Sequence, residues 1–201
     1  MASDIDIANR ALIKLGSSTI ISFLDNSKAA RAINSMYYLV RDAELRANNW
    51  NFSIKRAALP ALTSVPAWGF GYEYQLPADC LKVLQIGDTF SGGSADLSPL
   101  IGSPSSGWKI EGRVVRTDCP APLNIRYISN DIDSNQFDSL FIEVLACRLE
   151  IELSEDLTQS NTKKEAANSA YKAALVIAIR NNATESPPES IPDNSWLLSR
   201  I

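Results

Sequence analysis

The chain has 201 residues, 19 Lys plus Arg against 23 Asp plus Glu, a formal net charge of −4 and no histidine. Without imidazole there is no Ser-His-Asp triad, no Cys–His nucleophile, no H-E-x-x-H zinc site and no facial iron triad. The acidic balance also argues against a general nucleic-acid coat, which needs a concentrated basic surface. Cys80, Cys119 and Cys147 are an odd, widely spaced set with no CxxC, so buried free thiols in a reducing compartment are expected rather than a metal site or a disulfide scaffold. No 18-residue apolar run occurs and MASDIDIANR opens polar and acidic, so neither a membrane span nor a secretory signal is expected, and the chain is read as made in the cytoplasm.

Helical periodicity predicts a first helix over 4–15, with Ile5, Ala8, Leu12 and Leu15 on one stripe, Ser3 or Asp4 as cap and Gly16 as the left-handed stop. A second helix is predicted over 27–48. Its seam is Ala29, Ile33, Met36, Val40, Ala43 and Ala47, flanked by Lys28, Arg31, Arg41 and Arg46. The link between the two is short, which predicts antiparallel packing of one on the other.

From 50 to 130 the period shortens. Strands are predicted over 51–59, 72–76, 81–87, 108–111, 114–117 and 123–129, with Glu111-Gly112 marking a hairpin. Residues 91–107 hold four glycines, six serines and two prolines, and the stretch 88–107 is read as a flexible exposed loop. Helix returns over 138–157, with Phe141, Val144, Leu145, Arg148 and Ile151 on the periodic face and Glu143, Glu150, Glu152 and Glu155 on the acidic one. A last helix is predicted over 161–181, striped by Ala167, Ala170, Ala174, Ile177 and Ala178. Three prolines then preclude helix before an apolar cluster, Trp196-Leu197-Leu198.

The fold class expected is therefore α+β. A helical bundle from 1–50 and 131–182 carries a small antiparallel β domain inserted at 51–130, and 183–201 forms an extended arm. Acidity collects late: 131–182 holds five basic and nine acidic residues.

Chemical motifs are scarce. Glu150 and Glu152 lie two apart on a helix and point to different faces, so they do not converge as a catalytic carboxylate pair would. The Asp131–Gln136 run lacks the glycine and the bidentate glutamate of a calcium loop, and Gly69-Phe70-Gly71 and Gly92-Gly93 do not continue into a phosphate loop. Aromatic residues say more. Trp50-Asn51-Phe52 closes the second helix and reads as a wedge between helices and sheet. The stretch from Pro66 to Pro77 (PAWGFGYEYQLP) reads equally as a packed sheet entry or a protein-binding edge. Trp196, Leu197 and Leu198 read as an anchor for a neighbouring molecule. No enzymatic activity and no cofactor are expected. A carboxylate-based hydrolase is the alternative among enzymes, and a sequence-independent DNA-binding module a further one.

Ile7-Ala8-Asn9-Arg10-Ala11-Leu12-Ile13-Lys14-Leu15-Gly16, then Phe23-Leu24-Asp25-Asn26-Ser27, then Asn48-Asn49-Trp50-Asn51-Phe52 follow one another in an order that resembles the tail tubular protein A family, the head-to-tail adaptors of short-tailed bacteriophages. Tyr74-Gln75-Leu76-Pro77-Ala78-Asp79-Cys80-Leu81-Lys82-Val83 is similar to a strand–Leu-Pro–strand element of those adaptors. The likeness covers nearly the whole chain, is sharpest over 7–83 and does not extend to 88–110. It implies a structural virion protein that assembles on the portal as a homo-oligomeric ring, normally of twelve subunits. Such a ring continues the DNA channel without sequence-specific binding, supports the tail nozzle protein and often seats tail fibres or tailspikes. Another neck or tail completion protein is the alternative within the virion. On this reading Lys28, Arg31, Arg41 and Arg46 are expected to face Glu143, Glu150, Glu152 and Glu155 of the next subunit in a salt-sensitive contact. Trp196, Leu197 and Leu198 would dock on portal or a neighbour, and Leu97, Leu100 and Ile101 in the 88–107 loop on nozzle or fibre.

Overall fold

A computed structural model describes residues 2–87, 89–90 and 107–185. Four helices and seven strands follow in the order α1 (Asp4–Leu15), α2 (Lys28–Ala47), β1 (Ile54–Leu59), β2 (Tyr72–Gln75), β3 (Cys80–Ile86), β4 (Thr89–Phe90), β5 (Trp108–Glu111), β6 (Val114–Thr117), β7 (Leu123–Ser129), α3 (Ser139–Thr158) and α4 (Asn161–Thr184). The fold is α+β.

Local chemistry sets the helix ends. Ser3 and Asp6 form a reciprocal capping box that opens α1, and Gly16, at φ 73°, closes it in the left-handed conformation that glycine adopts without strain. The Ser27 side chain accepts the Ala30 amide at 3.0 Å to open α2. At the other end of α2 the Trp50 indole N–H donates to the Glu44 carbonyl at 3.1 Å, supplying one of the partners a helix end otherwise lacks.

The strands build two antiparallel sheets within the expected β region: β1-β7-β3-β4 and β2-β6-β5. Alternation explains how the first sheet serves two cores. Leu123, Ile125 and Tyr127 of β7 point into a core shared with Tyr74 and Val115 of the second sheet, while Ile128 points the other way, into the helices. In β3 a register shift between Val83 and Gln85 changes the phase, so Leu84 faces the helices while Val83 and Ile86 both face the sheet core. The layers therefore run helices, four-stranded sheet, three-stranded sheet. Trp50, Phe52, Phe137 and Phe141 join the first two, with ring centroids 5.0–6.2 Å apart along the contacts of the cluster.

Several expectations are corrected. Residues 51–53 form a 3-10 turn, so β1 begins at Ile54. Thr89–Phe90 pairs with β3, so the expected 88–107 loop begins as a strand; residues 91–106 lie outside the described set. α1 packs chiefly on α3 rather than on α2, because α3 is central and covered by the other three helices. The buried residues of α2 are Ala29, Ala30, Ile33, Tyr37, Glu44 and Leu45, while Ala43 and Ala47 are exposed. In α4 the exposed Ala170 and Ile177 leave the expected stripe, and the helix runs to Thr184, past the expected start of the arm. The arm from 186 onward lies outside the described residues.

Candidate docking surfaces

The charged residues singled out in the sequence are largely committed within the chain. Lys28 pairs with Asp156 of α3 at 3.0 Å and also donates to the Asp156 carbonyl. Arg31 donates to Asn26 at 2.8 Å. Arg41 pairs with Asp42 at 2.8 Å and lies over the Tyr38 ring, and Arg46 donates to the Leu81 carbonyl. On α3, Glu143 takes Arg10 and Lys14 of α1, Glu152 takes Arg148 one turn away at 2.9 Å, and Glu155 takes Lys164 of α4 at 2.8 Å. Glu150 is half-buried; burial pushes its carboxyl up, partly offset by Lys14. The pattern of opposite signs thus accounts for how the helices close on one another. Exposed pairs of this kind contribute about 0–1 kcal/mol each. Trp196, Leu197, Leu198, Leu97, Leu100 and Ile101 lie outside the described residues.

Glu44 and Glu143, at two different helix junctions, titrate in opposite directions. Glu44 is 5% exposed; Tyr171 of α4 donates to it at 2.9 Å, Arg148 stands 3.8 Å away, and its second oxygen has no hydrogen-bond partner. Burial pushes its carboxyl above the ordinary range, and Tyr171 and Arg148 only partly offset that. Burial acts on Glu143 in the same sense, but Lys14 and Arg10 outweigh it and leave that carboxyl below the ordinary range. Lys14 also donates to Cys147 at 2.9 Å, although burial keeps that thiol's pKa raised. Cys80 is likewise buried and Cys119 half-buried, and all three are free thiols.

Among the described residues no group of three or more His, Cys, Asp or Glu could hold a metal ion. A cavity of about 350 Å³ at the α3–α4 corner is lined by Glu155, Gln159, Ser160, Asn161 and Lys164, and its one carboxylate is paired with Lys164.

Apolar exposure is the stronger signal, and sequence patterning did not locate most of it. Ile21 and Leu24 are 88% and 87% exposed, and Leu39 on α2 is 73% exposed. Within the aromatic stretch Tyr74 is buried, its hydroxyl donating to the Cys119 carbonyl at 2.7 Å, whereas Trp68 is 86% exposed. The packed-entry reading of that stretch therefore holds at Tyr74, while Trp68 stands in solvent. On α4, Val176, Ile177 and Ile179 are half-exposed within a single turn.

The 17–27 link is built rather than loose. The Asn9 side chain accepts the Ile20 amide at 2.8 Å and donates to the Ile20 carbonyl at 2.9 Å. Asp25 accepts the amides of Ile21 and Ser22 at 2.7 and 3.1 Å. Phe23 tucks inward against Tyr37 and Tyr38, with centroids 5.2 and 6.4 Å away. Ile21 and Leu24 are thereby held outward on fixed backbone. The signal in the sequence was the serine-rich link with Asp25 near its end, which marks a structured turn but does not say which apolar side chains it turns out.

No helix among the described residues is long and apolar enough to cross a membrane. No family model matches the chain, and no curated protein matches it.

Proposed function

We infer that this chain is a structural subunit of a virion, a head-to-tail connector that joins portal to tail nozzle and continues the DNA channel. The order of residue patterns over 7–83 suggests the family. The observation that carries a binding rather than catalytic role is the pair Ile21 and Leu24, almost wholly exposed on a link fixed by Asn9 and Asp25. A solitary protein gains nothing by fixing two large apolar side chains in water. A preordered apolar projection does favour docking, because the entropic cost of ordering it is already met. The exposed Trp68, in the segment that leads into β2, gives a second exposed apolar surface, as a subunit between two different neighbours requires. A net charge of −4 suits a channel past which DNA must slide without sticking.

Co-sedimentation with the portal protein of the same virus tests the reading. The purified chain is expected to migrate with portal assemblies, and Leu24→Asp with Trp68→Asp to abolish that migration while leaving the thermal unfolding midpoint unchanged. A chain that stays at the top of the gradient beside intact portal rings contradicts it.

A further inference from the structure

The four-stranded sheet is only partly covered on its helix side. Ile54 of β1 and Ile128 of β7 lie directly opposite each other and pack into the helical core, and Lys82 of β3 stands in the same row. One row further along β1, Arg56 lies directly opposite Arg126, which is flanked on its other side by Gln85. The next row is Ala58 and Asn124. Residues two apart on a strand share a face, so these three rows leave the sheet on the same side. Arg56, Ala58 and Asn124 are exposed, so the helices stop after the first row and leave an open shelf beyond it. α2 ends at the lip of that shelf. Arg46 of its last turn donates to the Leu81 carbonyl, and Lys82 donates to Asn49, just past the helix, at 3.1 Å.

The shelf thus gathers Arg46, Lys82, Arg126 and Arg56 in a chain of net charge −4. Lys14, Lys28, Lys55, Arg116 and Lys164 each meet a carboxylate elsewhere in the fold. Arg46, Arg56 and Lys82 enter no ion pair among the described residues. The acids of the neighbouring segments are engaged away from them: Asp42 by Arg41 and Asn130, and Asp79 and Asp131 by Lys55. Like charges directly opposite weaken a strand pair, so an anion seated over Arg56 and Arg126 is favoured.

We propose that this shelf binds the phosphodiester backbone of duplex DNA. Guanidinium and ammonium groups interleaved with the amides of Asn49, Gln85 and Asn124 are the donors that phosphate oxygens take. No large apolar side chain of β1, β3 or β7 is exposed, which disfavours a protein neighbour, whose seat needs a desolvated apolar centre. Single strands are disfavoured by the same observation, because their bases stack on exposed aromatic rings. Three or four cations hold a duplex weakly and without reading its sequence. A single subunit carries the whole shelf, so binding does not depend on the connector reading.

Fluorescence anisotropy of the purified chain with a short labelled DNA duplex tests it. At low salt the wild-type chain should bind, with log affinity falling against log salt at a slope of about −3. Arg56→Gln removes an exposed side chain that has no ion pair to lose, and should weaken binding about tenfold and flatten the slope by about 1. Adding Lys82→Gln should weaken it further. Lys109→Gln with Lys172→Gln removes two exposed charges elsewhere and should change affinity less than twofold. A matching single strand and polyglutamate should each compete at least tenfold less well than unlabelled duplex at equal charge. No duplex binding at low salt, equal losses in the Lys109/Lys172 variant, or equal competition by either other polymer would overturn the assignment and leave the connector reading untouched.

Discussion

α3 and α4 are adjacent helices of similar length, and they hold the fold in opposite ways. α3 buries nine residues spread around its circumference, including Phe141, Val144, Leu145, Leu149 and Leu153, because α1, α2 and α4 surround it. α4 fully buries only Ala167 and Ala178, adds Tyr171, Ala174 and Leu175 at the edge of the core, and turns Val176, Ile177 and Ile179 outward. An apolar residue buried in α3 therefore stabilises the subunit fully, whereas a comparable residue on the outer side of α4, about half exposed, contributes less. The lesson is that apolar content alone does not separate a buried helix face from an exposed one; the position of the helix in the stack does.

The largest test of that contrast exchanges one residue in each helix. Phe141→Ala removes a fully buried ring from the four-ring cluster and should cost about 3–5 kcal/mol in urea unfolding, the usual range for a buried Phe. Ile177→Ala, at 52% exposure, should stay within about 0.5 kcal/mol. Comparable losses from both would erase the distinction.

A smaller effect probes how rigid the apolar projection is. Asn9→Ala removes both hydrogen bonds to Ile20 and should cost about 1–3 kcal/mol, with faster amide exchange confined to 17–27. Unchanged exchange there would mean that the link is not held by Asn9.

The smallest effect is on pH dependence, and it separates the α2–α3–α4 junction from the α1–α3 junction. The Glu44 carboxyl titrates higher folded than unfolded. Its protonated form is favoured in the fold, so stability is fullest below the unfolded value of 4.5 and falls as pH rises from there through the folded value. Glu143 has the opposite sign: its stabilisation is present above 4.5 and is lost as pH drops through its lowered folded value. Glu44→Gln should flatten the slope on the alkaline side of 4.5 and leave the acidic side intact, read by urea midpoints across pH 3–8. An unchanged alkaline slope would assign it to other groups.

Much of this fold was legible in the sequence. Ser3, Gly16 and Ser27 act as local caps whose chemistry does not depend on distant partners, and the strand runs with Glu111-Gly112 at the hairpin are set by period and turn residue. What was not legible depends on stacking order. Periodicity placed Ala43 and Ala47 on the seam of α2 because it cannot know that Glu44 turns inward to meet Tyr171 and that Leu45 is buried. It placed Ile177 on the stripe of α4 because an Ala-rich helix offers apolar residues on more than one side. For the candidate surfaces, Lys28, Glu143 and Glu155 meet opposite charges between helices of their own chain, partners that the charge pattern alone did not name. Trp68 was flagged as one possible binding edge; Ile21 and Leu24 were not, because alternation and helical period say nothing about a short structured link.

The central claim is that the surfaces of this polypeptide recognise protein neighbours, and the most direct measurement is the native mass of the particle formed when it is mixed with portal. The account predicts a portal ring plus a closed set of these 22.0 kDa subunits, with masses falling on one discrete count. A portal ring of unaltered mass, with all of this chain free as monomer, would contradict it.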